Sequence, residues 1–294
     1  MKIAYLFNPN AGQNADIWKQ QTENFAQTNG IALQVVNILE QFDDFFANYN
    51  ENDFSRIIIA GGDGTVNKIV NKLVALELNP TIAILPAGTA NDYATHLKMP
   101  SNIKKSVKLA FNGKATPVDI GTANGIAFVN VCGIGNFMET DMGFNHETKR
   151  FWGKLSYYVF GFNKFLNMKP CKMLLKMDGK KYHGKFYLIL VMCGTGAGSF
   201  ANLCPTAKID DGLFDVIALK KLPLRSFPLL FAKALFGTHL PDRRILHFQT
   251  DNLEIIHKGD NPIFSTSNLD GESGPACPLK IRLINKRFSI VNNL

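Results

Sequence analysis

The sequence lacks the features of a membrane-spanning chain and those of a disulfide-stabilised one. Its 294 residues include five cysteines, an odd number with no C-x-x-C pair, so we expect free thiols in a cytosolic protein. No apolar run reaches the roughly 18 residues that cross a bilayer, and no signal-peptide pattern precedes the apolar segment at residues 3–7. We therefore expect a cytoplasmic location and no membrane-spanning segment.

Several common binding motifs are also missing. The chain has no G-x-x-x-x-G-K-[ST] loop, and the glycines of CGTGAGSFAN at residues 193–202 have the wrong spacing for a dinucleotide site. Six histidines are scattered without zinc-site spacing, so we interpret them as surface or packing residues. The basic groups at residues 104–108 and 243–244 lack interleaved aromatics, so we interpret them as a solvated face and expect no nucleic-acid partner.

The composition that is present predicts a large, basic globular protein. With 46% hydrophobic residues, the chain can bury a sizeable core, and its length favours two domains. We place them at residues 1–118, an α/β domain, and 119–294, a mostly antiparallel domain, with a possible return of the extreme C-terminus to the first domain. The formal charge of +8 favours an anionic partner such as a nucleotide or an acidic lipid surface.

The first 120 residues alternate strand-like and helix-like segments. Apolar strands are predicted at residues 3–7, 31–38, 57–60 and 82–85, and three of them end in the turns NPNAG, GGDGT and PAGTAND. This alternation is typical of a parallel α/β sheet. Because ligands bind beyond the carboxyl ends of parallel strands, we expect the three turns to converge on one site.

The stretch RIIIAGGDGTVNKIVNKLV at residues 56–74 shows what such a turn can bind. After the strand and the glycines, apolar residues recur at the spacing of one helix face, from Val66 to Val74. Gly61, Gly62 and Gly64 permit positive φ and let another molecule approach the helix start, which favours a phosphate. A tight turn that needs glycine only for its dihedrals is the alternative.

Five motifs in order carry a family resemblance that covers nearly the whole chain. They are GGDGT at residues 61–65, PAGTANDYA at 86–94, VDIG at 118–121, PTAKIDDGLFDV at 205–216 and LDGE at 269–272. Together they resemble the diacylglycerol kinase catalytic family, especially its bacterial lipid kinases. GGDGT alone is shared with NAD kinases, so the specificity of the resemblance depends on GTAND together with DGE.

The resemblance implies a first domain similar to that of NAD kinase, a β-sandwich second domain, and a cleft in which ATP meets a lipid hydroxyl. Asp270 matches the family's catalytic aspartate, which accepts the hydroxyl proton, and Glu272 matches its acidic companion. Without the resemblance, Asp270 and Gly271 would be interpreted as an ordinary turn.

The resemblance also implies nucleotide-binding and metal-binding positions. The nucleotide-binding set is Asn8, Gly12, Gly61, Gly62, Asp63, Gly64, Thr65, Asn67, Gly88, Thr89, Asn91 and Asp92. Asp63, Asp92 and Asp119 match acidic residues that line the cleft and suit Mg²⁺, with capping or turn formation as the alternative. In bacterial members KIDDGLFDV resembles a structural Mg²⁺ site, with a carboxylate from Asp211 and backbone carbonyls from Lys208 and Leu213. A common turn is the alternative there.

Three departures from the family pattern concern the same site. NPNAGQ replaces NPxSGK, so Ala11 lacks a hydroxyl and Gln13 lacks a charge. Lys68 stands where an acid is usual, either on the exposed side of its helix or against the nucleotide. The segment GTGAGSFAN lacks the family's asparagine near Gly196 and Gly198, which puts the acceptor side in question.

We therefore predict a lipid kinase that uses ATP and Mg²⁺, with diacylglycerol as the leading acceptor. A soluble kinase like NAD kinase, and a nucleotide- or lipid-binding protein without catalysis, are the alternatives. Residues 219–236 mix Lys220, Lys221, Arg225 and Lys233 with a dense apolar set, a pattern of either an interfacial element or a packed helix. We expect binding to an anionic membrane surface at the inner membrane face. A homodimer is a further prediction.

Overall fold

The structure is a computed structural model that describes residues 2–12, 14–135, 169–177, 179–197, 200, 202–259 and 265–294. The sequence also predicts a helix near residues 154–166 and a hairpin turn at Asp178-Gly179. That helix, Asp178, Gln13 and Gly198 lie outside the described residues.

The N-terminal part alternates strands and helices as the sequence predicts. Its four parallel strands run in the order β2-β1-β3-β4. Each predicted apolar segment overlaps one of them, which confirms the parallel α/β architecture. The elements are β1 Lys2–Phe7, α1 Ala15–Thr28, β2 Leu33–Asn37, α2 Phe42–Ala47, β3 Phe54–Gly61, α3 Asp63–Ala75, β4 Thr81–Pro86, α4 Asp92–His96, α5 Ile103–Asn112 and β5 Ala115–Ala123.

Helix α3 packs on this sheet through the face that its periodicity indicates. Val66, Ile69, Val70 and Leu73 are buried in one core cluster with Ile57 and Ile59 of β3 and with Ile82 and Ile84 of β4. The helix begins at Asp63, directly after Gly62. The turn between β3 and α3 is therefore a single residue long, and it fixes the start of the helix at the carboxyl edge of the sheet.

The C-terminal part is mainly antiparallel. Strand β9 pairs with β7, β8 and β10, and β10 pairs with β11. The elements are β6 Ile126–Phe128, β7 Val131–Gly135, β8 Cys171–Met177, β9 Lys180–Met192, β10 Phe214–Lys220, α6 Phe227–Leu235, β11 Ile245–Thr250, β12 Asn252–His257, β13 Thr266–Leu269, β14 Glu272–Ala276 and β15 Leu279–Val291.

Strand β15 connects the two parts of the sheet. Its first half pairs with β12, and its last residues pair parallel to β4 of the N-terminal part, with Ser289 opposite Thr81 and Ile290 opposite Ile82. It also pairs antiparallel with β5 along much of its length. The extreme C-terminus thus adds a strand to the N-terminal parallel sheet.

The segment at residues 219–236 is part strand and part helix, with both buried and exposed apolar side chains. It begins as the end of β10 and continues through a 3-10 turn at Leu224–Ser226 into α6. Phe227 and Leu230 are buried in a core cluster, whereas Leu229 and Phe236 are 60% and 79% exposed. Among the described residues, no helix is long and apolar enough to cross a membrane.

Candidate active site

The three glycine-bearing turns meet at the carboxyl edge of the parallel strands. The Asn8 amide, after β1, donates to the Thr65 hydroxyl of α3 at 2.9 Å. Gly12 has a positive φ of 62°, and a Cβ there would lie 2.6 Å from the Ala87 carbonyl oxygen. Gly62 lies against Gly88, with 3.3 Å between an added Cβ on Gly62 and the Gly88 Cα. The residues that the sequence assigns to one nucleotide site are therefore neighbours.

The GGDGT glycines are required for close approach and not for positive φ. None of Gly61, Gly62 and Gly64 is among the glycines with positive φ, and Gly64 lies within helix α3. A Cβ on Gly61 would collide with the Thr65 side chain, and one on Gly64 would collide with a Glu272 carboxylate oxygen. The dihedral explanation is wrong here, because what each glycine admits is a neighbouring group of the protein.

Asp63 and Asn91 shape the second turn. The Asp63 carboxylate accepts the backbone N–H groups of Asp92 and Tyr93 at 3.1 Å each, so it caps the start of α4. The Asn91 side chain accepts from the Gly88 N–H at 2.9 Å and donates to the Gly88 carbonyl at 2.8 Å. Of the two alternatives for Asp63, the structure favours capping. Thr89, between these groups, is exposed.

The Asp270 carboxylate is buried, with 8% of the residue exposed, and it accepts four hydrogen bonds. Oδ1 accepts from the backbone N–H groups of Asn130 and Val131 at 2.9 Å each. Oδ2 accepts from the Val129 N–H at 2.7 Å and from the Asn67 amide at 2.9 Å. Burial nevertheless raises the pKa of Asp270, and these four hydrogen bonds oppose the rise.

Asp270 also forms the ordinary turn that the sequence predicts when the family resemblance is left aside. Asp270 and Gly271 have φ values of 54° and 98°, and they join β13 to β14 with Leu269 opposite Glu272. Two central residues with positive φ suit a type I′ hairpin turn, for which Asp-Gly is a preferred pair. The turn and the buried carboxylate are one structure, since the tight turn is what directs the side chain inward against residues 129–131.

Glu272 lies next to the start of α3. It is exposed, and its carboxylate sits so close to the Gly64 Cα that a Cβ would not fit between them. A carboxylate is stabilised at a helix N-terminus, where backbone N–H groups are unpaired. The DGE motif therefore contacts the GGDGT helix twice, through Asn67 to Asp270 and through Gly64 to Glu272.

Asp119 is a buried carboxylate that holds two backbone segments. It is 3% exposed, and its two carboxylate oxygens accept the backbone N–H groups of Gly212 and Lys286 at 2.7 Å each. It thereby anchors the Lys208–Leu213 loop, in which the exposed Asp211 accepts from the Leu213 N–H at 3.1 Å. Each Asp119 oxygen has a further lone pair, so its assignment as a metal ligand stays a prediction.

The departures from the family pattern have separate consequences. Ala11 is buried and donates its N–H to the Asn8 carbonyl at 3.1 Å. Lys68 is exposed, and its ammonium lies 4.4 Å from the centre of the Phe42 ring of α2. Of its two alternatives, the exposed side of the helix is the one found. In the third departure, the GTGAGSFAN segment, the Gly196 carbonyl accepts a hydrogen bond from the Asn130 side chain at 2.9 Å.

Comparison with known proteins decides the family. The family model for the diacylglycerol kinase catalytic domain matches residues 2–123, and that for the YegS C-terminal NAD kinase beta sandwich-like domain matches residues 141–292. The chain belongs to the diacylglycerol kinase family. Membership confirms the α/β and β-sandwich-like fold class, and it confirms the lipid-kinase prediction over that of an NAD kinase.

Individual relatives agree with this membership. The chain is 35% identical over 227 residues to a diacylglycerol kinase of Bacillus subtilis (strain 168), covering 77% of this chain and 74% of that one. It is 29% identical over 240 residues to one from Staphylococcus carnosus (strain TM300), covering 82% and 77%. A crystal structure of a diacylglycerol kinase from Bacillus anthracis str. Sterne superposes with a TM-score of 0.79 at 28% identity, covering 99% of this chain and 97% of that one.

Sequence reasoning missed the groups that hold the family motifs together. Asn71 accepts from the Ala127 N–H at 2.8 Å and donates to Asn67 and to the Ala127 carbonyl at 3.0 Å each. The Asn130 side-chain oxygen is buried without a hydrogen-bond partner. Asn71 follows Asn67 by one helical turn, which is the only local signal of its role. The backbone amides of residues 129–131 carry no side-chain signal at all.

Proposed function

We propose that this protein transfers the γ-phosphoryl group of ATP to the free hydroxyl of diacylglycerol, producing phosphatidic acid. The observation that carries the proposal is the meeting of the DGE turn with the GGDGT helix, 203 residues apart in sequence and joined at 2.9 Å between Asn67 and Asp270. The arrangement brings an acidic pair to the edge at which a nucleotide would bind.

The nucleotide phosphates would lie over the turns after β1, β3 and β4. Asn8, Gly62, Thr65 and Gly88 line the meeting of these turns, and the unpaired N–H groups at the start of α3 favour an anion. Asp63 and Asn91 would act as positioning residues, since their side chains hold the start of α4 and the Gly88 turn. Thr89 and Asp92 remain predicted contacts.

Asp270 would accept the hydroxyl proton as the lipid oxygen attacks the γ-phosphorus. A carboxylate has about four lone-pair sites, and all four are engaged in this structure. Proton transfer by Asp270 therefore requires that one donor leave. The Asn67 amide is the candidate, because it is the only side-chain donor of the four and can rotate without moving the backbone.

Glu272 is a second candidate for the same role, and its exposure favours it. Its carboxylate reaches solvent at the start of α3, so a lipid hydroxyl could meet it without displacing a hydrogen bond. In that case Asp270 would position residues 129–131 and Asn67 instead of reacting. Phosphoryl transfer depends mainly on positioning and charge stabilisation, so either carboxylate has sufficient basicity.

The oxygen donors of the Lys208–Leu213 loop fit Mg²⁺. Asp211 has an exposed carboxylate in a loop held by Asp119, and hard oxygen ligands are those that Mg²⁺ prefers. We propose Asp211, with the backbone carbonyls of Lys208 and Leu213, as a structural Mg²⁺ site. When bound with the nucleotide, Mg²⁺ neutralises phosphate charge.

We further propose that the protein works in the cytoplasm at the surface of the anionic inner membrane. Its charge of +8 and the exposed apolar residues of α6 support this location. A homodimer stays a prediction, which light scattering of the purified protein would test.

The decisive experiment is product analysis. The protein is incubated with ATP, Mg²⁺ and a total lipid extract, and phosphorylated lipids are identified by mass spectrometry. We expect phosphatidic acid, at a rate that falls with Glu272→Gln and with Asp270→Asn. A phosphorylated lipid of another class would correct the acceptor, and the absence of any ATP-dependent product would reject the kinase proposal.

A further inference from the structure

A group of metal-ligating side chains lies in the C-terminal part, outside the motifs that the kinase proposal uses. Cys204, Asp215 and His247 each offer one ligand atom, and these atoms lie within 4.8 Å of one another. Cys204 precedes the KIDDGLFDV loop, Asp215 is in β10 and His247 is in the adjacent β11. Three separate segments of the fold therefore deliver one sulfur, one oxygen and one nitrogen to the same point.

The internal contacts of this cluster centre on Asp215, which is 1% exposed. Its Oδ1 lies 2.7 Å from His247 Nε2 and accepts from the Thr206 hydroxyl at 3.0 Å, while its Oδ2 accepts from the Gln249 amide at 3.2 Å. The Cys204 sulfur is 3.5 Å from the Thr206 hydroxyl. A buried carboxylate and a buried thiol beside a half-buried imidazole are a donor set that suits a divalent transition metal.

We propose that Cys204, Asp215 and His247 bind a Zn²⁺ ion that links their three segments. They offer one thiolate sulfur, one carboxylate oxygen and one imidazole nitrogen, all of which are zinc ligands in proteins, and water would complete the coordination. The sequence conceals the site because the ligands are 11 and 32 residues apart in the order Cys204, Asp215 and His247, which matches no common zinc spacing.

Binding would change the protonation of two ligands. Cys204 would bind as a thiolate, so its thiol proton would pass to solvent as the Zn–S bond forms. His247 Nε2 lies 2.7 Å from an Asp215 oxygen, so ligation through Nε2 requires the neutral tautomer with its proton on Nδ1. Asp215 would bind through a carboxylate oxygen.

The ion would fasten the C-terminal part to the nucleotide-binding motifs. The Cys204 N–H donates to the Thr195 carbonyl at 2.8 Å, and the Thr195 N–H donates to His96 Nδ1 of helix α4 at 3.1 Å. Because α4 begins in the GTAND motif, a fixed Cys204 would hold the position of that helix. This is a structural role and does not depend on which lipid the protein phosphorylates.

The test measures the metal directly in the full-length protein. Wild type, expressed with zinc and purified without a metal-affinity tag, is expected to retain about one Zn²⁺ per chain by plasma mass spectrometry. After exchange to Co²⁺ it should show the intense d–d bands of a tetrahedral site and the near-ultraviolet charge-transfer band of a Co–thiolate bond. Chelation should lower Tm, and Zn²⁺ should restore it.

Cys204→Ser should lose the charge-transfer band, and His247→Gln should weaken zinc binding at least tenfold. Cys171→Ser is the matched control, because the Cys171 sulfur is also buried and lies 2.8 Å from a histidine nitrogen, His257 Nε2. It should keep both the metal and the band. Absence of a Co–thiolate band in folded wild type overturns the proposal, as does its loss in Cys171→Ser alone. If Cys204→Ser does not fold, the wild-type spectrum and the response of His247→Gln decide the matter.

Discussion

Asp270 is a buried carboxylate whose four partners are all donors. Asp270→Asn removes the charge and also turns an amide N–H₂ toward backbone N–H groups. We expect kcat to fall by about 10²-fold or more if the residue is the base, and the unfolding free energy to fall by about 1–3 kcal/mol for each unsatisfied donor. The rate at which phosphorylated lipid forms measures the effect on kcat, and thermal unfolding measures the effect on stability.

Asp242→Asn is the matched control for this variant. Asp242 has a carboxylate side chain that is only 4% exposed, 2.8 Å from the Lys233 ammonium and paired with Arg244, and it lies outside the family motifs in sequence. It should lose stability while keeping kcat at temperatures below its Tm. If Asp270→Asn behaves in the same way and Glu272→Gln loses activity instead, Glu272 is the base.

His96 of α4 predicts how stability depends on pH. Burial, and then the nearby Lys98 cation, lower the pKa of His96 from 6.5 to about 4. The unfolded chain therefore binds a proton between pH 6.5 and 4 that the folded protein excludes, and stability falls across this window as pH falls. The loss is about 3 kcal/mol at most. His96→Asn keeps an acceptor for the Thr195 N–H but does not titrate.

Urea unfolding at pH 6.5 and 4.5 measures this difference. The stability of wild type minus that of His96→Asn should decrease by more than 1 kcal/mol on acidification, a part of the full shift over this range. A difference that stays constant with pH would show that His96 is protonated alike in the folded and unfolded protein.

Residues that follow a motif could be predicted from the sequence, and residues whose role depends on distant contacts could not. Asp270 and Glu272 come from DGE, and the structure brings both to α3. Asn71 and His247 have no motif, because the first acts through Ala127 and the second through Asp215.

At the scale of elements, the glycine turns after β3 and β4 pack against each other through the backbones of Gly62 and Gly88. A Cβ on Gly88 would overlap the Gly62 Cα, whereas a Cβ on Gly62 would lie 3.3 Å from the Gly88 Cα. Gly88→Ala must therefore separate the turns, and we expect it to lower both Tm and ATP affinity. Gly62→Ala requires a shift of only a few tenths of an ångström, so we expect a nearly normal Tm.

ATP affinity then distinguishes the two explanations of the GGDGT turn. If Gly62 faces a phosphate, Gly62→Ala should weaken ATP binding in calorimetry while the protein stays folded. Normal affinity in Gly62→Ala, together with weak affinity in Gly88→Ala, would mean that the glycines serve the packing of the two turns. The sequence could not separate these explanations, because the neighbour of each glycine comes from a turn 26 residues away.

The Lys208–Leu213 loop carries the prediction for Mg²⁺. If Asp211 is a ligand, Mg²⁺ should raise the Tm of wild type without nucleotide by linkage, and Asp211→Ala should abolish the rise. Asp210→Ala is the control, since it removes an adjacent exposed carboxylate from the same loop. Equal responses in the three proteins would reject the site and leave the loop as a turn anchored by Asp119.

At the scale of the whole molecule, the periodicity of the sequence predicts the parallel sheet, but only the pairing shows how the two parts join. Strand β15 continues from β12 into contact with β4 and β5. Strand partners more than 200 residues apart, such as Ile290 and Ile82, leave no trace in local patterns. The sequence predicts a return of the C-terminus to the first domain but not the strand with which it pairs.

The C-terminal part has exposed cations and exposed apolar side chains, the two features that the proposed membrane binding would use. Lys185, Lys220 and Lys221 line a depression of about 470 Å³ between β9 and β10, and Leu229 and Phe236 of the α6 segment are exposed nearby in the chain. Lys233 does not add to this charge, because it pairs with Asp242 at 2.8 Å. The exposed cations and the exposed apolar side chains have separate effects on binding, which can be measured separately.

Vesicle sedimentation makes that separation. We expect tighter binding to vesicles containing phosphatidylglycerol than to neutral ones, since each cation near an anionic leaflet contributes about 1 kcal/mol. Binding should weaken as salt rises from about 0.05 to 0.5 M. Leu229→Ser with Phe236→Ser should weaken binding at every salt concentration, whereas Leu39→Ser, a 55% exposed leucine of the N-terminal part, should not. Equal binding to both vesicle types, unaffected by salt, would leave the lysines as a solubilising face.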